Sequence, residues 1–341
     1  MIKTMKYINY IIMSLLLCFV ASSCSDKDPD FDWTAVDHGT KARVQVMYMT
    51  PVASAVANRI YRLEINGKTY ENNGAALISN FNGTPSGGVS VFYDVDAGPL
   101  RIRLWKQPAN MKYQYSVNGS EWHDKRVTEG DNIDKFMRLS KDGENWGESE
   151  PILSYRLGLK NWDDALIYDQ TSSAVEAGKH YSVIVHLLDR EPTVIERGTI
   201  PSQTTVNTAE YACVRFYNFM FEDATTPYPN KLQLRLKNTT TGDYENVCDP
   251  IGFGEATPWF MPSVVKTVFN SSGSQRRDLD LVIVDNSGQE VGNLTYTRSN
   301  GSSATFTDYW TLAIGRAYSW WLYGTRGEKT VPVAITSFAQ N

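Results

Sequence analysis

Two tryptophans in this chain follow tight turns at the same offset. Ser116-Val117-Asn118-Gly119-Ser120-Glu121-Trp122 and Ser140-Lys141-Asp142-Gly143-Glu144-Asn145-Trp146 each carry an indole three residues past an Asn-Gly or Asp-Gly pair. Such pairs favour a hairpin turn, because both central residues take positive φ. Trp122 and Trp146 could stack on the C–H face of a sugar ring. They could equally clamp their own hairpins by cross-strand packing, which is the commoner use of a strand tryptophan. Further indoles stand at Trp105, Trp162, Trp259, Trp310, Trp320 and Trp321. In the run Ser319-Trp320-Trp321-Leu322-Tyr323 the strand period places Trp320 on the core face. Trp321 falls on the opposite face with Ser319 and Tyr323, which makes it the better exposed candidate.

Other chemistry is sparse. A glycoside hydrolase needs two facing carboxylates. Asp163-Asp164 and Glu148 with Glu150 are available, but clustered loop acids are usually just solvated. The chain shows no Ser-His-Asp pattern, HExxH run or phosphate-cradling glycine loop, so it is not expected to be an enzyme and no catalytic residue is assigned. His180 and His186 share one strand-like run, roughly 20 Å apart at 3.3 Å per residue, too far to share a metal. His38 and His123 lie elsewhere. No metal site or cofactor is expected.

The N-terminus sets the address. Lys3 and Lys6 precede the apolar run Ile11 to Val20, which ends in Ala21-Ser22-Ser23-Cys24. A basic start, a short apolar segment and small residues make a secretory signal, too short to span a bilayer stably. Ala21-Ser22-Ser23 ahead of Cys24 resembles a bacterial lipobox, which implies a signal peptide at 1–23 and acylation (palmitate) of the Cys24 thiol. Several acyl chains anchor durably, since each buried CH₂ contributes about 0.8 kcal/mol. Asp26, Asp28 and Asp30 follow within an acidic tether at 24–40. They resemble the export tail of surface lipoproteins of the Bacteroidetes type. A calcium loop fits poorly, because Phe31 stands where the loop glycine belongs and Pro29 interrupts the ligand run. The implied location is the outer membrane, lipid-anchored and facing the cell exterior.

Charge narrows the partners. The whole chain carries 33 basic and 38 acidic side chains; without Lys3 and Lys6 the balance falls to −7. That argues against nucleic acid, which selects basic patches. Cys18 leaves with the signal and Cys24 is spent on lipid, leaving Cys213 and Cys248. In an exported protein these could form one disulfide or remain two buried thiols; the disulfide is slightly preferred.

The elements that must position these residues are short strands. Ala42 to Tyr48, Tyr61 to Ile65, Val89 to Tyr93 and Leu100 to Leu104 alternate or run apolar between turn residues. Asn66-Gly67 marks a hairpin. After a Pro/Ser/Gln/Thr/Asn stretch the pattern restarts. Ala212 to Asn218 echoes Ala42 to Tyr48, Leu232 to Leu236 echoes Tyr61 to Ile65, and Leu279 to Val284 echoes Leu100 to Leu104. Gly178-Lys179-His180-Tyr181-Ser182 and Gly315-Arg316-Ala317-Tyr318-Ser319 match as Gly, basic, any residue, Tyr, Ser. The chain therefore reads as all-β, two copies of one immunoglobulin-like β-sandwich in tandem. The first occupies 41–200 with a twin-hairpin insertion at about 106–150. A linker at 201–210 follows, and the second copy occupies 211–341. The pair is expected as beads on a string.

The second turn, around Asp142-Gly143, resembles the Asp-box hairpin of sialidase-type propellers, one residue short and without its threonine; only the hairpin shape carries over. The opening Ala42-Arg43-Val44-Gln45-Val46 strand, the Asn66-Gly67 hairpin, the Val95-Asp96-Ala97-Gly98 turn and the Ala177 to Tyr181 turn-strand resemble a known type. In the second copy Phe253-Gly254-Glu255-Ala256 and Gly315 to Tyr318 carry it. The type is the tandem domain-of-unknown-function 4397 repeats of bacterial exported lipoproteins. The resemblance implies an all-β sandwich in the cell envelope and no activity. The expected function is that of a non-catalytic surface binding module for glycans, with Trp122, Trp146 and Trp321 as first binding candidates. The alternative is a structural or adhesive component of a surface complex, with an envelope protein as partner.

Overall fold

The computed structural model describes residues 39–53, 56–72, 76–78, 91–107, 112–116, 123–126, 154–157, 162, 165–201, 211–264, 276–313 and 316–340. Cys24, Asp26, Asp28 and Asp30 lie outside them, as do the acids Glu148, Glu150, Asp163 and Asp164. Among the described residues the chain is built from strands, with one short 3-10 turn at Val56–Asn58 and no α-helix.

In chain order the first half holds β1 (Ala42–Tyr48), β2 (Arg62–Ile65), β3 (Lys68–Glu71), β4 (Tyr93–Val95), β5 (Gly98–Trp105), β6 (Lys112–Ser116), β7 (His123–Arg126), β8 (Ser154–Leu157), β9 (Leu166–Val175), β10 (His180–Val185) and β11 (Thr193–Glu196). The second half holds β12 (Cys213–Phe221), β13 (Lys231–Lys237), β14 (Tyr244–Asn246), β15 (Glu255–Ala256), β16 (Arg276–Val284), β17 (Glu290–Asn293), β18 (Thr295–Thr297), β19 (Ser303–Thr305), β20 (Thr307–Thr311), β21 (Ala317–Thr325) and β22 (Ala334–Gln340).

The two halves are copies. In the first, one sheet runs β11-β10-β1-β4 and the other β3-β2-β5-β9. In the second, the matching sheets run β22-β21-β12-β15 and β14-β13-β16, with β20 and β17 both pairing β16. β1 lies parallel to β10, and β12 lies parallel to β21. The registers agree as well: Val46 faces Val183 where Phe216 faces Trp320. Each pair of sheets closes on its own apolar core. Val44, Val46, Leu63, Ile102, Leu104 and Val183 belong to the first core. Phe216, Leu234, Leu281, Trp320 and Leu322 belong to the second. Burying each such side chain contributes roughly 1.5–3 kcal/mol.

The repeated Gly-basic-x-Tyr-Ser motif has a local cause. The Tyr181 hydroxyl accepts the Glu176 backbone N–H at 3.1 Å, and the Tyr318 hydroxyl accepts that of Ala313 at 3.0 Å. The basic residue of each motif uses its carbonyl: Lys179 accepts from Arg43 N–H and Arg316 from Cys213 N–H, each at 2.9 Å. The motif thus aligns the last parallel strand with the first. The Asn66-Gly67 turn between β2 and β3 has φ of 49° and 83°, the left-handed pair that such a hairpin requires.

Both copies carry an insertion between equivalent strands. In the first, β6, β7 and β8 form a separate sheet in the order β7-β6-β8. β6 and β7 pair antiparallel, with Tyr115 opposite His123, and Asn118-Gly119 between them lie outside the described residues. Trp122 itself, and the whole second segment with Trp146, lie outside the described residues. In the second copy, β17 and the β18–β19 hairpin occupy the matching place.

The copies are not separate beads. Sheets β11-β10-β1-β4 and β15-β12-β21-β22 meet through their outer faces, where an apolar patch stands beside Gln45, Ser182, Arg215 and Ser319. Met47, Met49 and Ile184 of the first copy pack against Tyr217, Phe219, Trp321 and Tyr323 of the second. These are equivalent positions: Met47 faces Ile184 in β1–β10, and Tyr217 faces Trp321 in β12–β21, each five residues past the opening alanine. The seam is therefore pseudo-symmetric, the same patch used from both sides. Arg215 reinforces it, its Nη1 donating to the carbonyls of Glu196 and Arg197 at 2.7 Å each. Trp259 Nε1 adds a bond to the Arg197 carbonyl at 3.3 Å.

Candidate functional site

The seam decides the fate of several sequence candidates. Trp321 does point away from the second core, opposite Trp320, but the first sandwich covers that face. Its exposure is 2%. The expectation of an open indole platform is corrected: Trp321 stacks on Tyr217 inside the seam. Trp320 is fully buried in the second core. Trp105 is buried beneath the guanidinium groups of Arg62 and Arg103, and Trp162 also receives Arg62. His186 is buried against Phe219 and Phe253 at the seam. Its Nε2 lies 3.0 Å from Thr193 Oγ1, and desolvation drives its pKa down to about 4.

The cysteines are two free thiols, so the preferred disulfide is replaced by the alternative. The reason is the pleat. Cys213 sits on the seam side of β12, next to Val214, which points into the second core. Cys248 packs against that core from its other side. Burial raises both thiols, Cys248 to about 12, which leaves them poor nucleophiles.

A different place in the second sandwich remains accessible. Its two sheets end on one side in β20 and β22, and between them lies an open cleft of about 640 Å³. That is within the roughly 300–1,000 Å³ of small-ligand sites. On β20 the parity that puts Phe306 in the core also turns Asp308 and Trp310 inward. Tyr318 of β21 and Ile335 and Ser337 of β22 form the opposite wall. Tyr309 and Thr311 stand at the rim, Tyr309 with its ring under the Arg276 guanidinium at 3.8 Å.

The cleft has a marked polarity. Asp308 is half-buried, and desolvation raises its carboxyl pKa, opposed by the Tyr309 backbone N–H donating to Oδ1 at 2.8 Å. Trp310 packs against the core while its indole lines the cleft. Four of the lining residues, Tyr309, Thr311, Tyr318 and Ser337, bring hydroxyls. The matching side of the first sandwich is shut: β9 and β11 touch, and the Tyr168 hydroxyl donates to the Arg190 carbonyl at 2.9 Å. Sequence reasoning named Trp310 among the indoles but passed over Asp308, Tyr309 and Ser337. The signal was present in Phe306-Thr307-Asp308-Tyr309-Trp310, where an acid takes an inward position between two aromatic residues. Among the described residues no three His, Cys, Asp or Glu side chains gather as a metal site.

No family model matches the chain, and no curated protein matches it. Several solved structures align with it, among them three from Bacteroides. One is a leucine-rich repeat protein from Bacteroides thetaiotaomicron, at 10% identity and a TM-score of 0.21; the alignment covers 85% of this chain and 27% of that one. The second is a candidate cell adhesion protein from Bacteroides ovatus, at 10% identity and 0.17, covering 88% and 97%. The third is a candidate cell adhesion protein from Bacteroides uniformis, at 11% identity and 0.20, covering 87% and 97%. Scores at this level lie below those of a shared fold, and the functional reading rests on the chain's own residues.

Proposed function

We propose that this chain is a non-catalytic, lipid-anchored protein of the bacterial outer membrane that binds glycans outside the cell, through the β20–β22 cleft. The lipobox-like Ala21-Ser22-Ser23-Cys24 and the acidic tether support the location, as does the resemblance to tandem 4397-type repeats. One observation carries the binding site: the edge between the two sheets is open and aromatic in the second sandwich, while the equivalent edge of the first is shut by Tyr168. Aromatic faces suit sugar C–H surfaces, and the surrounding hydroxyls suit sugar hydroxyls.

Affinity electrophoresis of the mature protein against a panel of polysaccharides tests this. Retardation by at least one glycan, lost in Trp310→Ala and weakened in the rim variant Tyr309→Ala, is expected. Retardation that survives both substitutions places the site elsewhere. Cys24→Ala is expected to release the protein from membranes, and continued membrane retention overturns the anchor.

A second reading, an adhesive or assembly component, draws on β22, which ends its sheet and offers a backbone edge for strand addition. Crosslinking on intact cells is expected to trap a protein partner under this reading, whereas monomer alone counts against it.

A further inference from the structure

We infer that the β20–β22 cleft selects uncharged glycans and rejects anionic ones, with Asp308 as the residue that discriminates. The inference rests on the glycan reading of the same cleft. Asp308 is the one carboxylate among the cleft-lining residues, and the cation at the rim, Arg276 over the Tyr309 ring, is itself paired with Asp278 at 2.6 Å. A uronate or sulfate brought into contact would face a carboxylate at close range. Like charges there repel more strongly than in open water, because Asp308 is half-desolvated.

The rest of the wall favours a polyol over a cation. Tyr309, Thr311, Tyr318 and Ser337 both donate and accept hydrogen bonds. An ammonium group only donates, so it would use Asp308 and the hydroxyl oxygens but leave the hydroxyl donors unmatched. A neutral sugar uses both: its hydroxyls donate to the second Asp308 oxygen and exchange bonds with the Ser337 hydroxyl. The Oδ1 atom is already engaged by Tyr309 N–H, which fixes the carboxylate. Tyr318 is fixed likewise, its oxygen accepting from Ala313 N–H while its own O–H remains available.

The test uses the mature protein and beads carrying defined polymers. Neutral beads carry a glucan, mannan, galactan or xylan; anionic beads carry pectate or alginate; basic beads carry chitosan. The variants are Asp308→Asn, Trp310→Ala and Tyr309→Ala, each checked for an unchanged far-ultraviolet spectrum and melting curve. Tyr309 lies at the exposed rim, so its variant keeps the test valid if Trp310→Ala unfolds. Wild type is expected to bind a neutral polymer at least tenfold more tightly than either anionic one. Asp308→Asn is expected to narrow that ratio to about threefold or less. Equal or tighter binding to pectate or alginate, lost in Tyr309→Ala, overturns the charge selectivity and leaves the cleft reading standing. Binding to chitosan alone, dependent on Asp308, overturns it in favour of a cationic ligand. No binding to any bead overturns the glycan reading itself, and this inference with it.

Discussion

Trp321 and Tyr217 stack in the seam with ring centroids 3.8 Å apart and planes inclined by 11°. They are register partners on the parallel strands β21 and β12, so the stack is built by the sheet and then capped by Met47, Met49 and Ile184 from the other copy. Trp321→Ala leaves a hole between two sheets. The expected cost is about 3–5 kcal/mol. Urea unfolding followed by circular dichroism should show a lower midpoint and the two sandwiches melting in separate steps. A single transition at the wild-type midpoint would falsify the seam as a source of stability.

His186 makes the seam sensitive to acid. Its ring meets Phe253 edge-on at 5.2 Å and also faces Phe219; Thr193 takes Nε2, and Arg190 is the charge it feels. The folded pKa near 4 lies below the ordinary 6.5, so between these values the unfolded chain binds the extra proton. Stability from this group is therefore full above about pH 6.5 and declines as pH falls toward 4. The loss is on the order of 3 kcal/mol. Urea midpoints across that range should fall for wild type and fall less for His186→Gln; parallel curves would remove the assignment.

Tyr181 and Tyr318 give a paired test of the repeat. Each hydroxyl holds a backbone N–H five residues upstream. Tyr181→Phe and Tyr318→Phe should each cost about 1 kcal/mol, the worth of one such bond. Thermal melts that show a loss in one variant and none in the other would mean the corner matters in one copy alone.

The tandem sandwich was legible because its signals are local. Asn66-Gly67 needs a particular backbone, and the Gly-basic-x-Tyr-Ser motif repeats because the same corner is made twice. The seam was not read, although its signal stands in the sequence. Phe216-Tyr217 and Phe219-Met220-Phe221, broken by the buried Asn218, and Trp320-Trp321-Leu322-Tyr323 are apolar at neighbouring positions on both faces. A strand with one wet face alternates; a continuous run means both faces are covered. Period-two reasoning assigned Trp321 its correct side, but one chain's alternation does not say what lies beyond the sheet. The cysteine pairing failed for a related reason: Cys213 and Val214 are neighbours in sequence and face opposite sides of one sheet. The cleft was missed because Asp308 is ordinary as a residue type and gains meaning from β22, some thirty positions later.

The pseudo-symmetric seam has a consequence for how the halves find each other. Each presents the same kind of apolar patch, so joining them is a self-association carried out within one chain. A short connection keeps the partner patch at an effective concentration on the order of millimolar. The seam can thus stay closed with an intrinsic affinity too weak to hold two free molecules together at cellular dilution. Cutting the connection at 202–210 would change the species, not merely loosen it. Each freed half would expose its sticky face, and the nearest match for that face is another copy of itself.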